Sequence, residues 1–501
     1  MGRIETALVS VFDKTGLDGF AKRLTAMGVR ILASGGTHAY LRGVGIECDD
    51  ISKVTGRVEI LGGLVKTLHP GIHAGILADR SNPAHLKELA SLGYTKIDMV
   101  VVNFYAIPGA TPERDLSFID IGGPAMARAA AKNFRSCVPV PDPSWYEKLL
   151  AEIEPGGDVG EDLRWMLAVD ALRRTGTYDA RVLDAQGLGV DAAPEAESVL
   201  LGLKRSIDLR YGENPHQKAA FYAAAPAHGL EILKGELSYN NILDVDCCVE
   251  ILREFGGKAA VVIKHVCPCG AAEGEVGCEV LDWAYGCDPV SAFGGVIGVS
   301  FRFDAACAEL VAKRFVECVV APEFDEAALG MLARKKARLV RFFPGRGRAV
   351  GLRSALHGVL LQARDDVLLR EDLRFVSGEP PAGAVLEDLV FAWKVAKHVK
   401  SNAIVFAKDR RTLGIGAGQP SRVDATRLAI AKAREFGHDL KGSVMASDGF
   451  FPFPDSVELS GEAGAVAVIQ PGGSIRDGEV IEAARRLGLV MALTSIRHFR
   501  H

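Results

Sequence analysis

The segment Ile97–Tyr105 reads IDMVVVNFY, and its unbroken apolar run decides how the first half of the chain folds. A strand with one face in water alternates apolar and polar residues, so this run indicates a strand buried on both faces. Around it, strand-like TALVSVF and VRILASGG alternate with helix-like LDGFAKRLTAMG and AMARAAAKNF. This alternation predicts an α/β fold with a parallel sheet, helices on both faces, and ligands at the carboxyl ends of the strands.

The length of 501 residues predicts more than one domain. Residues 184–198, DAQGLGVDAAPEAES, are rich in Gly, Ala and acids and have no periodic face, which is typical of a linker. Beyond them the pattern becomes α+β, and SNAIVFAKDRRTLGIGAGQ predicts two strands joined by a polar turn. We therefore expect one domain over residues 1–190 and a second over residues 199–501.

The composition narrows the class of protein. A formal net charge of −4 gives no basic footprint, so we expect neither nucleic acid nor a membrane surface as partner. No apolar run is long enough to span a bilayer, and the start MGRIETALVS has no apolar signal core. The 10 cysteines are too sparse for a disulfide scaffold and fit reduced thiols. These features predict a cytoplasmic protein.

The segment Ile263–Gly270, IKHVCPCG, is open to three interpretations: a metal site, a redox site, or a place for proton chemistry. A C-x-C spacing is a poor zinc chelate, and neither a redox C-x-x-C nor the zinc-deaminase motif pair is present. A zinc-dependent deaminase or a zinc-stabilised binding protein nevertheless remains an alternative. Its potential zinc ligands are His265, Cys267, Cys269 and Cys278.

Lys264 and His265 follow the apolar run AAVVI, where a sheet usually presents groups to a ligand. An imidazole accepts a proton near neutral pH, and a neighbouring ammonium favours its neutral form. The same ammonium can stabilise an oxyanion. This combination indicates transfer of an acyl-type group to a weak amine nucleophile.

Three polar or aromatic loops in the second half indicate a binding cleft. LRYGENPHQ (Leu209–Gln217) groups an arginine, a tyrosine and a histidine, and DPVSAFGG (Asp288–Gly295) sets Phe293 before two glycines. SDGFFPFPD (Ser447–Asp455) has three phenylalanines interrupted by prolines, which is typical of a cleft for a flat, extended ligand.

Five short motifs in the first half indicate a phosphate site with an acid and an amine. SGGT (Ser34–Thr37) follows a strand and opens a helix, so its backbone N–H groups can hold a phosphate. VFDKTG and VKTLHP add lysines and threonines, and DIGG followed by AAAKN adds Asp120 and Lys132.

Taken in order along the chain, these motifs resemble one family of bifunctional purine-biosynthesis enzymes. The family joins phosphoribosylaminoimidazolecarboxamide formyltransferase to inosine monophosphate (IMP) cyclohydrolase. The ordered set extends nearly from end to end: DKTG, SGGT, VKTLHP, DIGG, AAAKN, LRYGENPHQ, KH-x-x-P-x-G, DPVSAFGG, SNA, GIGAGQ-x-SR, SDGFFPF-x-D and RHFRH. Single motifs are modestly specific, but the ordered set is highly specific.

For the second half, the resemblance implies a duplicated cytidine-deaminase-like α+β domain without catalytic zinc. His265 would take a proton from the amine, and Lys264 would stabilise the transition state of formyl transfer from 10-formyltetrahydrofolate. The residues implied to bind the nucleotide are Arg210, Tyr211, His216, Phe293, Gly294, Lys336, Asn402, Phe450, Arg497 and His501. Those implied near the folate are Glu317, Arg422, Val423, Asp455, Gly472 and Gly473.

For the first half, the resemblance implies a methylglyoxal-synthase-like domain that closes the formylated product to IMP and releases water. Lys132 would donate and accept protons, and Asp120 would act near the base. The residues implied to bind the nucleotide are Phe12, Asp13, Lys14, Ser34, Gly35, Gly36, Thr37, Lys66, Thr67, Asn103, Tyr105 and Ile121. The resemblance further implies nucleotide and folate substrates, a homodimer and no catalytic metal.

The first half also departs from the family pattern in three motifs. Phe12 stands where a serine is usual, Leu64 where a phosphate-binding arginine is usual, and NFYAI, with Ala106, where NLYPF is usual. These departures predict a weakened or retuned cyclohydrolase. They leave open an alternative in which the protein is a formyltransferase only, with an inactive cyclohydrolase domain.

Overall fold

The computed structural model describes residues 3–56, 60–108, 114–189, 195–223, 229–343, 345, 350–369 and 372–501. The chain divides into two compact units. Unit 1 comprises Met1–Leu203 together with Val350–Ala363, and unit 2 comprises Lys204–Ala349 together with Arg364–His501. The predicted bounds of 1–190 and 199–501 put Val350–Ala363 in the second domain, whereas the structure groups this segment with the first unit. Of the predicted linker, residues 190–194 lie outside the described residues.

Unit 1 contains a five-stranded parallel sheet in the order β3-β2-β1-β4-β5. Its strands are β1 (Thr6–Ser10), β2 (Arg30–Ala33), β3 (Asp49–Asp50), β4 (Met99–Val102) and β5 (Val138–Val140). Its helices are α1 (Leu17–Ala26), α2 (Gly35–Gly43), α3 (Ser52–Thr55), α4 (Pro70–Leu77), α5 (Pro83–Ser91), α6 (Gly122–Lys132), α7 (Tyr146–Gly156) and α8 (Glu161–Ala185).

Both faces of this sheet are buried, as the run in IDMVVVNFY predicted. On β1, Ala7 and Val9 belong to one apolar core, whereas Leu8 points into a second core on the opposite face. All four residues of β4 are buried in the same alternating way. The predicted parallel α/β half is therefore confirmed, and the carboxyl ends of β1, β2 and β4 lie side by side because these strands are neighbours.

Beyond β5 the strands run from β6 to β21, and β14 and β15 form the hairpin that groups with unit 1. They are β6 (Lys204–Leu209), β7 (Ala219–Ala223), β8 (Leu230–Lys234), β9 (Lys258–Lys264), β10 (Cys267–Gly274), β11 (Val296–Val299), β12 (Cys318–Ala321), β13 (Arg338–Phe342), β14 (Val350–Ala355), β15 (Gly358–Ala363), β16 (Arg374–Ser377), β17 (Ile404–Lys408), β18 (Arg411–Gly416), β19 (Val444–Ser447), β20 (Ala467–Gln470) and β21 (Val490–Leu493). The helices of unit 2 are α9 (Tyr239–Leu252), α10 (Gly277–Gly286), α11 (Pro289–Ala292), α12 (Ala305–Ala312), α13 (Glu326–Leu332), α14 (Ala384–Ala396), α15 (Arg422–Glu435), α16 (Asp455–Ala463) and α17 (Asp477–Arg486).

Unit 2 is built from two copies of one topology. Its twelve-stranded sheet has the order β16-β21-β20-β19-β17-β18-β10-β9-β11-β12-β13-β8. The two halves meet at the central β18–β10 pair. From there toward either edge, each half begins with an antiparallel hairpin, whose outer strand pairs antiparallel with the next strand. Two further strands run parallel to that one, and the edge strand is again antiparallel. A helix precedes the hairpin in both halves, α9 in the first and α14 in the second.

The cores follow the same duplication. Residues from α9, α14 and one face of the sheet form a single core around Trp393, which is fully buried. On the opposite face each half has its own core, with α10, α12 and α13 covering the first and α15, α16 and α17 covering the second. The apolar core is therefore continuous on one face of the sheet and divided into two on the other.

A glycine at matching positions of β10 and β18 lets a helix approach each hairpin closely. A Cβ atom added at Gly270 would overlap the carbonyl oxygen of Ala284 in α10, and one added at Gly414 would overlap that of Ala429 in α15. Because the obstacle is backbone in both cases, we expect Gly270→Ala and Gly414→Ala each to lower the free energy of unfolding by about 1–3 kcal/mol. Denaturant titration checks this.

The matched control is Gly330→Ala in α13, where an added Cβ meets nothing within 4 Å. This change removes a helical glycine and is expected to be neutral or stabilising by up to about 1 kcal/mol. Equal stability of all three variants would show that the close helix–strand approach is wrong.

Candidate functional sites

In unit 1, the ends of β1 and β2 meet at the start of α2. The hydroxyls of Ser10 and Ser34 are hydrogen-bonded at 2.8 Å. The Thr37 hydroxyl accepts a hydrogen bond from the Val11 N–H and donates one to the Val11 carbonyl. Ser34 immediately precedes α2, and Gly35 and Gly36 form its first turn, so backbone N–H groups are available for an anion there.

Asn103, just beyond β4, holds the loop that follows β1. Its side-chain oxygen accepts hydrogen bonds from the backbone N–H groups of Phe12 and Asp13 at 2.6 and 2.9 Å. Its side-chain nitrogen donates to the Asp13 carbonyl at 2.8 Å. Lys14 donates to the Phe12 carbonyl and lies over the Tyr40 ring. The predicted residues that follow β1 (Phe12, Asp13 and Lys14) and the one that follows β4 (Asn103) therefore lie together.

The rim beside this loop is apolar. The rings of Phe12 and Tyr105 meet edge to face at 5.8 Å, and about half of each side chain is exposed. Elsewhere in unit 1, Ile121, which precedes α6, is largely exposed, and Leu64 is 78% exposed. Leu64 thus offers water an apolar side chain at the position where the family pattern has a cation.

Asp120 sits at the start of α6. Its two carboxylate oxygens accept hydrogen bonds from the N–H groups of Gly123, at 2.8 Å, and Tyr105, at 3.3 Å. Burial raises the pKa of Asp120, and these two N–H donors oppose the rise. The Asp120 N–H donates in turn to the hydroxyl of Tyr178 on α8. Sequence reasoning missed Tyr178 because nothing local to α8 signals a contact 58 residues away.

Among the other predicted residues of unit 1, some lie near Asp120 at the start of α6 and one lies far from it. Thr67 is buried, and its hydroxyl lies against the backbone of Gly122 at the start of α6; Lys66 beside it is half-buried. Lys132, however, is the last residue of α6 and is exposed. A helix rises 1.5 Å per residue, so Lys132 lies about 15 Å from the end of α6 that carries Asp120. The structure does not bring Lys132 and Asp120 together.

In unit 2, Lys264 and His265 lie where β9 turns into β10. Lys264 is half-buried, and its ammonium donates to the carbonyls of Phe293 and Gly294 at 3.1 and 3.0 Å. His265 is exposed at the tip of the turn. The second half repeats the lysine contact, because Lys408 at the end of β17 donates to the Lys441 carbonyl at 2.9 Å. The duplication thus supplies a lysine in both halves but a histidine only in the first.

A cavity of about 440 Å³ lies in the second half of unit 2. It contains predicted residues of both substrate sets: Asn402, Arg422, Val423, Phe450 and Asp455. Pro452 and Phe453 also line it, and both belong to the segment SDGFFPFPD that was predicted to form a cleft. The lining residues that were not named individually as site residues are Pro420, Ser421 and Phe499.

Arg422 builds the wall of this cavity. Its side chain is nearly buried and forms an ion pair with Asp448, which is fully buried. The guanidinium also donates to the Ser447 hydroxyl and to the Asn402 side-chain oxygen, both at 2.8 Å. Because these bonds already use donors of Arg422, we assign its guanidinium the role of orienting Asn402. The amide nitrogen of Asn402 donates in turn to the carbonyls of Gln419 and Pro420.

Other predicted residues of unit 2 lie outside the lining of this cavity. Arg210 stacks on the Tyr211 ring and bonds its hydroxyl, and Glu317 pairs with Arg338 at 3.0 Å. Further predicted residues outside the lining are Lys264, His265, His216, Phe293, Gly294, Lys336, Gly472, Gly473, Arg497 and His501. The turn and the cavity region come near each other where Cys267, two residues after His265, lies close to the backbone of Lys400, two residues before Asn402.

The cysteines of the turn are packed rather than exposed to a metal. Burial raises the pKa of the Cys267 and Cys269 thiols, which opposes the thiolate form that binds zinc. Within the described ranges, no three His, Cys, Asp or Glu side chains converge in an arrangement that could hold a metal ion. The described residues also include no helix long and apolar enough to cross a membrane.

Comparison with known proteins gives full-length matches. A sequence model described as AICARFT/IMPCHase bienzyme matches residues 130–432, and one described as MGS-like domain matches residues 16–124. The chain is 45% identical to the bifunctional purine biosynthesis protein PurH of Magnetococcus marinus, over all of both chains. It is 45% identical to the PurH of Caldicellulosiruptor saccharolyticus over 99% of both, and 43% identical to that of Persephonella marina over all of both.

Removing the Arg422 side chain should test its structural role. Arg422→Met leaves the Asp448 carboxylate buried without its ionic partner, so we expect the free energy of unfolding to fall by about 3–5 kcal/mol. Arg427→Met on the same helix is the control, because its ion pair with Asp424 is solvent-exposed and should cost less than about 1 kcal/mol. Equal, small losses in denaturant titrations would contradict the structural role of Arg422.

Proposed function

This chain belongs to the AICARFT/IMPCHase bienzyme family, and from that premise we propose how its units carry the family's two reactions. The protein catalyses the last two steps of IMP formation. In the first, 10-formyltetrahydrofolate formylates 5-aminoimidazole-4-carboxamide ribonucleotide. In the second, the formylated product closes to IMP with loss of water. The observation that carries this assignment is the 45% identity to bifunctional relatives over the whole of both chains.

For formyl transfer, we assign His265 as the base. The 5-amino nitrogen attacks the formyl carbon, a C–N bond forms, and the bond to N10 of the folate breaks. His265 accepts the proton lost from the amine, and N10 gains a proton as tetrahydrofolate leaves. Lys264 would stabilise the charge that develops on the formyl oxygen. Exposure of His265 at a tightly held turn supports this role.

For substrate binding in unit 2, we propose that the 440 Å³ cavity receives a flat ring system. Phe450, Phe453 and Phe499 offer aromatic surface, and Asp455 and Asn402 offer polar contacts. Arg210, Tyr211 and the other predicted residues outside this lining would hold parts of the nucleotide and folate that extend beyond it. The duplicated topology of the sheet supports a cytidine-deaminase-like fold for this unit.

For ring closure, we propose that the nucleotide phosphate lies at the start of α2 and that its base faces Asp120. The carboxamide nitrogen attacks the formyl carbon, and the formyl oxygen leaves as water. Burial keeps a fraction of Asp120 protonated at higher pH than an exposed aspartate, which suits proton exchange with the base. The proton-transfer role of Lys132 stays a prediction, and it requires a ligand that extends along α6.

We further propose a cytoplasmic homodimer that acts on small molecules and has no nucleic acid or membrane partner. The net charge of −4 supports the last two points. The formyltransferase-only alternative rests on one observation: Leu64, at a position where the family pattern has a phosphate-binding arginine, is an exposed apolar residue. A zinc-dependent deaminase or zinc-stabilised protein is not favoured, because the relatives are named for two activities of purine biosynthesis and the turn cysteines are packed.

Two variants should separate the half-reactions. His265→Ala is expected to lower kcat for formyl transfer by about 10²–10⁴-fold, because the base is lost, and to leave ring closure of added formylated nucleotide unchanged. Asp120→Asn should do the reverse. The first reaction is followed by the absorbance of tetrahydrofolate and the second by that of IMP. If either folded variant loses both activities equally, the two-site assignment is wrong.

Replacing Leu64 with the arginine that is usual in the family tests whether this position can contact the nucleotide phosphate. Leu64→Arg should tighten binding of IMP about threefold to tenfold, since an added phosphate contact at an exposed position is partly screened by water and salt. Isothermal titration against IMP measures the change, and Leu64→Gln is the uncharged control. An unchanged dissociation constant for Leu64→Arg would remove Leu64 from the phosphate site.

A further inference from the structure

The turn that carries His265 has an unfavourable backbone conformation. Lys264 pairs with Cys267 across the hairpin, so the connection consists of two residues only, His265 and Val266. Both are left-handed, with φ of 54° and 61°. A two-residue turn of this kind normally contains Asn or Gly, and a β-branched valine at positive φ is an outlier. Another part of the molecule must therefore hold the turn in place.

Asp244 on α9 supplies that restraint. Its carboxylate accepts a hydrogen bond from the Val266 N–H at 2.7 Å. The preceding turn of α9 is itself fixed, because Ser238 and Asn241 bond each other's backbone in a capping box. The titratable side chains that act on Asp244 are Lys264, His265 and Glu317. Burial raises the pKa of Asp244, while the hydrogen bond from the Val266 N–H and the nearby His265 and Lys264 side chains oppose the rise.

In the second half of unit 2, a helix carboxylate holds the equivalent hairpin turn, but that turn contains no histidine. The β17–β18 hairpin turns through Asp409 and Arg410, both left-handed with φ of 52° and 51°. Asp388 on α14 accepts hydrogen bonds from their backbone N–H groups at 3.0 and 2.7 Å. A helix carboxylate thus clamps a strained hairpin turn in each half, and only the first turn presents a candidate base.

We propose that Asp244 is a positioning residue for formyl transfer, which holds the His265–Val266 turn so that the His265 imidazole meets the reacting amine. This inference rests on the proposed role of His265. Asp244 acts through the Val266 N–H and does not touch the substrate. A misplacement of a catalytic group by about 1 Å can cost about 100-fold in rate, so the clamp matters far more to kcat than to substrate affinity.

The experiment measures kcat and KM for formyl transfer in four variants of the full-length protein. Asp244→Ala removes the acceptor, and kcat should fall about 10- to 100-fold while the nucleotide KM changes less than about threefold. Asp244→Asn keeps a side-chain oxygen for the Val266 N–H and should retain kcat within about threefold. Adding Val266→Gly to Asp244→Ala should restore most of kcat, because glycine adopts the left-handed conformation without a clamp.

Asp388→Ala is the matched control, since it removes the same kind of clamp from a turn without a candidate base. It should lower the unfolding temperature but leave kcat for formyl transfer unchanged per folded molecule. The inference is overturned if Asp244→Ala keeps its kcat, if Val266→Gly fails to restore it, or if Asp388→Ala loses kcat to the same extent. Wild-type protein without any formyl transfer would instead overturn the proposed function itself.

Discussion

The pairing of β10 with β18 is the constraint on which unit 2 depends, because it joins two similar halves into one sheet. Ala272 of β10 is opposite Arg411 of β18, and the buried hydroxyl of Thr412 bonds both the N–H and the carbonyl of Ala271. A side chain thereby completes the backbone pairing at the junction. Since the strands are antiparallel, the turn of the first half lies toward the far end of β18, the end that leads into the cavity of the second half. Neither half would contain both features by itself.

The two halves share one frame, and under the proposed mechanism only the first carries the catalytic histidine. Lys264 donates to a carbonyl in the loop before β11, and Lys408 donates to one in the loop before β19. Asp244 and Asp388 each hold a hairpin turn. These contacts recur where no histidine is present, so both halves hold the hairpin turn in the same way. His265 is the feature that distinguishes the first copy, which makes its imidazole, rather than the neighbouring ammonium, the more specific mark of a catalytic turn.

Much of the fold could be predicted from the sequence, because burial leaves a local pattern. The apolar run of β4, the strand–helix alternation of unit 1 and the β17–β18 hairpin all follow from residues a few positions apart. The duplication could not be read in this way: the two turns read KHVC and KDRR and share only their first residue. Asp244, Asp388 and Tyr178 were missed for the same reason. The partner of Asp244 lies 22 residues away, those of Asp388 lie 21 and 22 residues away, and that of Tyr178 lies 58 residues away. Arg422 was predicted as a folate contact, yet its position in a buried ion pair depends on Asp448, which no local pattern connects to it.

The central claim is that one chain couples formyl transfer in unit 2 to ring closure in unit 1. The most direct measurement supplies purified protein with 5-aminoimidazole-4-carboxamide ribonucleotide and 10-formyltetrahydrofolate, then quantifies tetrahydrofolate, formylated nucleotide and IMP over time. We predict one IMP for each tetrahydrofolate, with little formylated nucleotide at the end. Accumulation of formylated nucleotide without IMP, or no release of tetrahydrofolate, would contradict the account.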